Sequence, residues 1–330
     1  ILPEKPRCLS MKRRLFTLAV IVFFFIMLLF PGPVFRGASQ GILLWFQTVL
    51  PTLLPFMIAA NLMVRTNAVH CISRLAGGLL GRALKVSDCG AFAVIAGFLC
   101  GYPMGAKVTA DLLREGKICR EEAAYLLSFC NNTSPMFIVS YVVMQNIGKQ
   151  ALFVPSVAIL LLSPLLCSRV FYRIFRGRWA PGLDRRGKFK SPPGARSAPF
   201  SFDVLDACIM DSFDSITRVG GYIMLFSVFT ELAFLLPGTG GSLSVCLFSF
   251  LEITAGVPML AALQVSFPLR WVLVMALTSF GGFCASAQTY SMIQGTGLRI
   301  SAYLTEKLAT AGVTSCMCAV FLYVSERGLL

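Results

Sequence analysis

Hydrophobic positions in this chain come in long runs rather than in the alternations of soluble helices and strands, and the runs fall into two lengths. Leu15–Phe30, Gly41–Val64, Ala151–Phe171 and Ser242–Leu263 approach the roughly 20 residues that a helix needs to cross a bilayer. Cys89–Cys100 and Leu269–Phe280 are shorter, and as helices they would rise only roughly 18 Å, about half a membrane. The chain is organised around the stretch from Gly97 to Val139. There the first short run stops at Gly101-Tyr102-Pro103-Met104-Gly105, a charged helix follows, and a second break at Asn131-Asn132-Thr133-Ser134-Pro135 leads back into apolar sequence. Proline removes an amide donor and glycine relaxes the backbone, and hydrocarbon tolerates bare peptide groups only where protein or a wet cavity satisfies them. The pattern therefore predicts two broken helices beside a cavity, the first a re-entrant hairpin.

Taken in order, the other runs predict a simple succession. The run after the basic residues Lys12, Arg13 and Arg14 lacks a small-x-small cleavage site and is expected to stay as a first span with a cytoplasmic N-terminus. Pro51 and Pro55 predict a kinked or hairpin helix over Gly41–Val64. Residues 65–88 interleave Arg65, Arg74, Arg82 and Lys85 with leucines, as an interfacial amphipathic helix does. Lys107, Asp111, Arg114, Glu115 and Lys117 bring the chain back to water, and Glu121 and Glu122 suit the first turn of the next helix, although Cys119 is a poor cap. Asp203, Asp206, Asp211 and Asp214 could suggest a metal site, but a second interfacial helix leading into Tyr222–Leu236 explains them more cheaply, and Glu252 falls inside the run Ser242–Leu263. The divisions expected are a tail and first span over 1–40, a first repeat over 41–172, a basic cytoplasmic linker over 173–204 and a second repeat over 205–330.

Composition makes this an integral membrane protein of the all-α class, since 56% of its 330 residues are hydrophobic and only 13% are charged. The net charge of +14 sits between apolar runs, which fits the enrichment of Lys and Arg in cytoplasmic loops and attraction to a lipid bilayer better than a nucleic-acid surface. Twelve scattered cysteines and a single histidine, His70, form no zinc-like cluster. No metal and no cofactor are expected, nor a nucleophile with a base, so the chain does not read as an enzyme.

The two short runs invite superposition. One common offset lays Gly101–Lys107 over Gly282–Gln288 and Thr133–Met136 over Thr314–Met317, which suggests a repeat with a broken-helix hairpin in each half. Discontinuous helices of two repeats, meeting near the midplane, are where secondary transporters place their substrate. Half-helix N-termini at such a place would offer amides to an anion. The candidate contacts are Gly101, Tyr102, Pro103 and Gly105 at the first break, Asn131, Asn132, Thr133 and Ser134 at the second, and Gly282, Ser286, Gln288, Thr314 and Ser315 in the second half. Each polar one could instead bond a neighbouring helix. Tyr102 could stack on a planar ring or simply fill the hairpin tip. Glu252, with Thr254 beside it, is an intramembrane acid, to be read either as the carrier of a coupling proton or cation or as a protonated bond between helices.

Gly97-Phe98-Leu99-Cys100-Gly101-Tyr102-Pro103-Met104-Gly105-Ala106, Glu115-Gly116-Lys117 and Ser128-Phe129-Cys130-Asn131-Asn132 resemble the YlbJ sporulation integral membrane proteins, also called stage V sporulation protein V. Gly220-Gly221-Tyr222, Leu251-Glu252-Ile253-Thr254 and Gly281-Gly282-Phe283 resemble the same family, so that the likeness runs over residues 41–324. Cys119, Ala255 and Cys284-Ala285 depart from its pattern. The resemblance implies the gate, or nucleoside-recognition, fold of concentrative nucleoside transporters. It implies also a multi-pass protein of the mother-cell-derived outer forespore membrane that carries dipicolinate, a small planar anion. The residues alone leave a nucleoside carrier, or a sporulation assembly factor that transports nothing, as alternatives, and they leave the oligomeric state open.

Overall fold

The computed structural model describes residues 11–66, 68, 80–179, 201–236 and 241–326. Among them all regular structure is helical, the form that satisfies each backbone polar group within its own segment. Residues 180–200 of the basic linker expected over 173–204, in which 173–179 are helical, and most of the interfacial helix expected over 65–88, His70 included, lie outside the described residues. The part of the latter that is described, helical at 80–84, leads into Leu84 and Val86, which are buried in the core.

Helix α1 (Met11–Leu29) is apolar almost throughout and meets the body through Phe23, whose ring lies 4.7 Å from that of Phe229. Helix α2 (Pro31–Leu44) passes through a π-helical turn at Trp45–Val49 into α3 (Leu50–Arg65). The prolines at 51 and 55 therefore leave one rod, its turn widened just ahead of Pro51 where an amide is missing.

Helices α4 (Asp88–Cys100) and α5 (Met104–Arg114) fold back on each other as a hairpin. Ser87 caps α4 by accepting the Gly90 N–H at 3.0 Å, and Gly101, at φ +82°, ends it in a conformation closed to most side chains. The hairpin can close because a Cβ on Gly97 would stand 3.0 Å from Gly105 Cα and would collide with the Cys130 carbonyl. Helix α6 (Arg120–Cys130) is broken at 131–134 and resumes as a π-helix over Phe137–Ile147 without folding back on itself. Cys119 provides no side-chain cap, while Glu121 and Glu122 occupy the first turn as expected. Helix α7 (Phe153–Trp179) follows.

Four differences from the sequence reading concern the second half. Helix α8 (Phe202–Ala233) is one continuous helix long and apolar enough to span, so the segment read as interfacial is part of it. Its aspartates recur at i, i+3, i+8 and i+11, so they form one polar stripe and never interrupt the helical ladder. The run containing Glu252 is not a span but a second hairpin, α9 (Ser242–Ser249) and α10 (Ile253–Ala261), turned at Phe250–Glu252. Gly256 packs there against the Ser249 carbonyl. The break at Gly281 is not a hairpin tip: α11 (Phe267–Phe280) and α12 (Gly282–Ile293) continue one another through it. Finally, α13 (Ile300–Glu326) runs unbroken through Thr314 and Ser315. Cys316 stands where a proline follows the first-half break, and the two hydroxyls bond back to Thr310 O and Ala311 O at 2.9 Å each, within the ladder. The offset that aligned the two halves in sequence thus pairs a hairpin tip with an in-line break, and a break with an intact helix.

Contacts sort the helix ends into two groups. At one end lie the C-terminus of α3, the α5–α6 turn, the start of α8 and the α12–α13 turn. Lys117 Nζ donates to Val64 O, Arg114 Nη2 to Met292 O and Gln294 O at 2.7 and 2.9 Å, Arg120 to Gly297 O, and Asn61 to Asp211. At the other end Lys149 lies over the Phe267 ring and Arg270 donates to Ala261 O, the last residue of α10. The first hairpin enters from the first end and the second from the opposite one. The largest apolar core joins α3 to α6 with α8 and α12, and two smaller cores hold α7, α10, α11 and α13 around the π-helix. Phe24, Phe25, Phe35, Leu162, Val170 and Val320 point outward and exposed, as lipid-facing residues do.

Candidate functional site

Two hairpin tips and two in-line breaks converge. Gly101 is pressed against Ser134, whose amide nitrogen would lie 2.6 Å from a Cβ at 101, and Gly105 faces Asn131. Tyr102, joined to Pro103 by a cis peptide bond, donates its hydroxyl to Ser279 O at 3.3 Å and lies against Gly281, so the first tip touches the second-half break. Thr133 Oγ1 donates to Thr278 O at 2.7 Å, linking the two breaks directly. At the second tip the N–H groups of Phe283 and Cys284 donate to Phe250 O and Leu251 O at 2.8 and 2.9 Å.

Asn131 is the hub. Its Oδ1 accepts the Ala106 N–H at 3.2 Å, which satisfies one of the amides opening α5. Its Nδ2 donates to Thr289 Oγ1 at 2.8 Å and to the Tyr303 hydroxyl at 3.1 Å. Asn132 Nδ2 donates to Phe129 O at 2.6 Å, and Ser134 Oγ accepts the Phe137 N–H at 3.3 Å, capping the helix that resumes. The amides expected to greet an anion at the starts of α5 and α12 are thus largely bonded within the protein, to Asn131 and to the carbonyls of the second tip.

Glu252 lies at the second tip rather than inside a span. Buried, it caps α10 through Oε2, which accepts the Ala255 N–H at 2.8 Å and the Thr254 hydroxyl, an arrangement in which a helix N-terminus favours the carboxylate. Gly282 packs against this tip, with Phe250 O 3.2 Å from the place a Cβ would take. Thr314 reaches the site from α13 through a hydroxyl cluster with Ser163 and Ser279 at 2.8 and 2.9 Å. The other three candidates bond locally: Ser286 to Gly282 O, Gln288 to Cys284 Sγ, and Ser315 to its own helix.

Sequence reasoning passed over Lys307. On α13 and only 1% exposed, it directs Nζ to Asn131 O at 3.3 Å and Asn132 Oδ1 at 3.2 Å, with the centroid of the Tyr102 ring 5.3 Å away. The signal that singled out Glu252, a charge within a helix long enough to span, applies equally to it. Thr289 and Tyr303, which hold Asn131, carried no such signal.

One turn along α5 from this junction lies a cleft of about 370 Å³, lined by α3, α5, α8 and the end of α12. Lys107, 3% exposed, bonds Asp111 Oδ2 at 3.1 Å and Asp211 Oδ2 at 2.9 Å, and Asn61 Nδ2 also donates to Asp211, at 2.9 Å. The aspartate read as interfacial is therefore the counter-ion of a lysine in the first hairpin. Arg114 completes the row by reaching Asp111 Oδ1 at 3.0 Å. Among the described residues no group of metal-ligating side chains occurs.

Five helices, Pro31–Arg65, Gln150–Arg173, Phe202–Ala233, Phe267–Ile293 and Ile300–Ser325, are long and apolar enough to cross a membrane, and together with the buried polar junction they define a multi-pass helical membrane protein. The chain is 27% identical over 310 residues to the sporulation integral membrane protein YlbJ of Bacillus subtilis, a match covering 84% of this chain and 75% of that protein. This likeness supports the YlbJ family, as the motifs at the two first-half breaks imply, and it fits a membrane protein of sporulation. No family model and no solved structure matches the chain.

Proposed function

We propose that this chain is a transporter that carries a small planar anion, dipicolinate, across the outer forespore membrane by alternating access, the two halves being repeats of opposite orientation. The observation that carries the reading is the convergence of two hairpin tips and two helix breaks, joined through Tyr102, Asn131 and Thr133 and through the bonds of Phe283 and Cys284 to the second tip, since irregular backbone at membrane depth is tolerated where it surrounds a solute path. Each half follows the same order: a long helix, a hairpin, a helix broken in line, a long helix. The hairpins enter from opposite ends, as inverted repeats require. The matching register is close to α4–α7 over α9–α13, with Gly101 near Phe250 and Asn131 near Gly281. The end that gathers Arg65, Arg114, Lys117 and Arg120 is the cytoplasmic one by the sign of its charge, so the cleft opens toward the cytoplasm.

Uptake into proteoliposomes tests this. The purified chain is expected to move labelled dipicolinate saturably, with Asn131→Ala and Glu252→Gln slowing it about tenfold or more through misplaced breaks. Movement of uridine with none of dipicolinate would replace the anion by a nucleoside. Variants that transport nothing yet restore spore dipicolinate in a null strain would make the chain an assembly factor instead.

A further inference from the structure

Lys107, Lys117 and Lys307 are all buried almost completely. Lys117 closes the end of α3 through Val64 O, and the other two are treated in opposite ways. Lys107 has two carboxylates within 3.1 Å. Among the described residues Lys307 has none within ion-pair distance; its ammonium meets the Asn131 and Asn132 carbonyl oxygens and the face of Tyr102. Among the described residues the other titratable groups around it are the Cys130 and Cys167 thiols from α6 and α7 and the Tyr303 phenol from its own helix, with Tyr102 from the first tip, and none of these is a carboxylate. Glu306 precedes it in the chain and, among the described residues, makes no ion pair with it. An uncompensated charge in such surroundings costs several kcal/mol, and two neutral acceptors do not use every proton of an ammonium.

We propose that Lys307 is the binding site for a carboxylate of the solute, with the ring that bears the carboxylate lying on Tyr102. The inference rests on the transport reading above and sharpens it: the solute is a carboxylate on a flat ring and not a neutral nucleoside, because only an anion stabilises the protonated amine in a site this buried. Asn131 and Asn132 hold the ammonium in place until the carboxylate arrives, and the aromatic face gives a ring offset stacking at a site walled by helix breaks.

Calorimetry with pyridine-2,6-dicarboxylate and its neutral diamide, on the purified full chain in detergent, decides the matter. Lys307→Gln is expected to weaken the dicarboxylate roughly thirtyfold or more, the loss typical of one partner of a close charge pair, and to leave the diamide unchanged. Lys307→Arg should keep part of the affinity. Asn132→Asp places a carboxylate where Oδ1 already lies 3.2 Å from Nζ, so it should abolish dicarboxylate binding while raising the midpoint of thermal unfolding. Lys307→Gln should likewise leave that midpoint level or higher, whereas a purely structural lysine would lower it. Equal dicarboxylate affinity in Lys307→Gln and the parent chain would overturn the assignment and spare the transport reading. A parent chain that binds the diamide and not the dicarboxylate would overturn both.

Discussion

Asn131 shows how much one short side chain can be asked to hold. Its side-chain hydrogen bonds cross between elements, to α5, to α12 and to α13, and each partner is buried. Alanine there strands the Ala106 N–H, at roughly 1–3 kcal/mol for an unpaired buried donor, and takes a donor away from the Tyr303 phenol and from the Thr289 hydroxyl, which keeps its bond to Ala285 O. Asn131→Ala is therefore expected to unfold several degrees below the parent in detergent, in addition to its effect on transport. Asn131→Asp separates the two effects: it keeps the acceptor for Ala106, loses the donors to Thr289 and Tyr303, and adds a carboxylate at the break that Lys307 already touches. It should recover part of the lost stability and none of the anion affinity, measured by thermal unfolding and calorimetry side by side.

At the scale of elements, what could be read in advance were the breaks that glycine and proline announce. Gly101 and Pro135 marked the first tip and the first interrupted helix because glycine admits a backbone conformation that other residues avoid and proline removes an amide donor, and such local properties are what a sequence displays. The second hairpin turns on Phe250-Leu251-Glu252, with neither glycine nor proline; it exists because Glu252 caps one short helix and Gly256 lets the other lie against it. That is tertiary information, and an apolar run carries no trace of it. Thr314 and Ser315 erred the other way, since hydroxyls that could end a helix bond back into it when no proline follows. The first hairpin offers the sharper test of close packing. Gly97→Ala forces its Cβ into the Cys130 carbonyl, and overpacking of this kind costs roughly 1–3 kcal/mol or more. The variant is expected to insert yet to unfold at lower temperature and to expose the buried Cys130 thiol to maleimide; parent-like stability and labelling would show that α4 and α6 stand farther apart.

For the whole molecule the testable quantity is sidedness. Arg114 bonds the carbonyl of Gln294, and Lys149 lies over Phe267, so each pair fixes two turns at one end. Cysteines placed one at a time at Glu115 and Gln294 should react with a membrane-impermeant maleimide from one face of oriented vesicles. Cysteines at Lys149 and Gln264 should react from the other, and the basic end should be the cytoplasmic one. Labelling of Glu115→Cys and Gln294→Cys from opposite faces would contradict the packing of α5 on α12. The candidate site is spread on this scale too: its residues come from both halves of the chain, as the bond from Thr133 to Thr278 shows. No single window along the sequence assembles them, although Lys307, like Glu252, was a charge to be weighed within a helix long enough to span, and it shares α13 with Thr314 and Ser315.

Lys117, Arg114 and Arg120 donate to Val64, to Met292 and Gln294, and to Gly297, which are carbonyls at or just beyond the ends of α3 and α12. Helix ends of this kind carry partial negative charge and unpaired acceptors, so the cations that make this end basic are also what closes two of its helices. A scan that neutralises loop charges to learn how the chain is oriented would, at these three positions, unravel helix ends first. Its readout would report lost architecture and could be mistaken for an inverted protein.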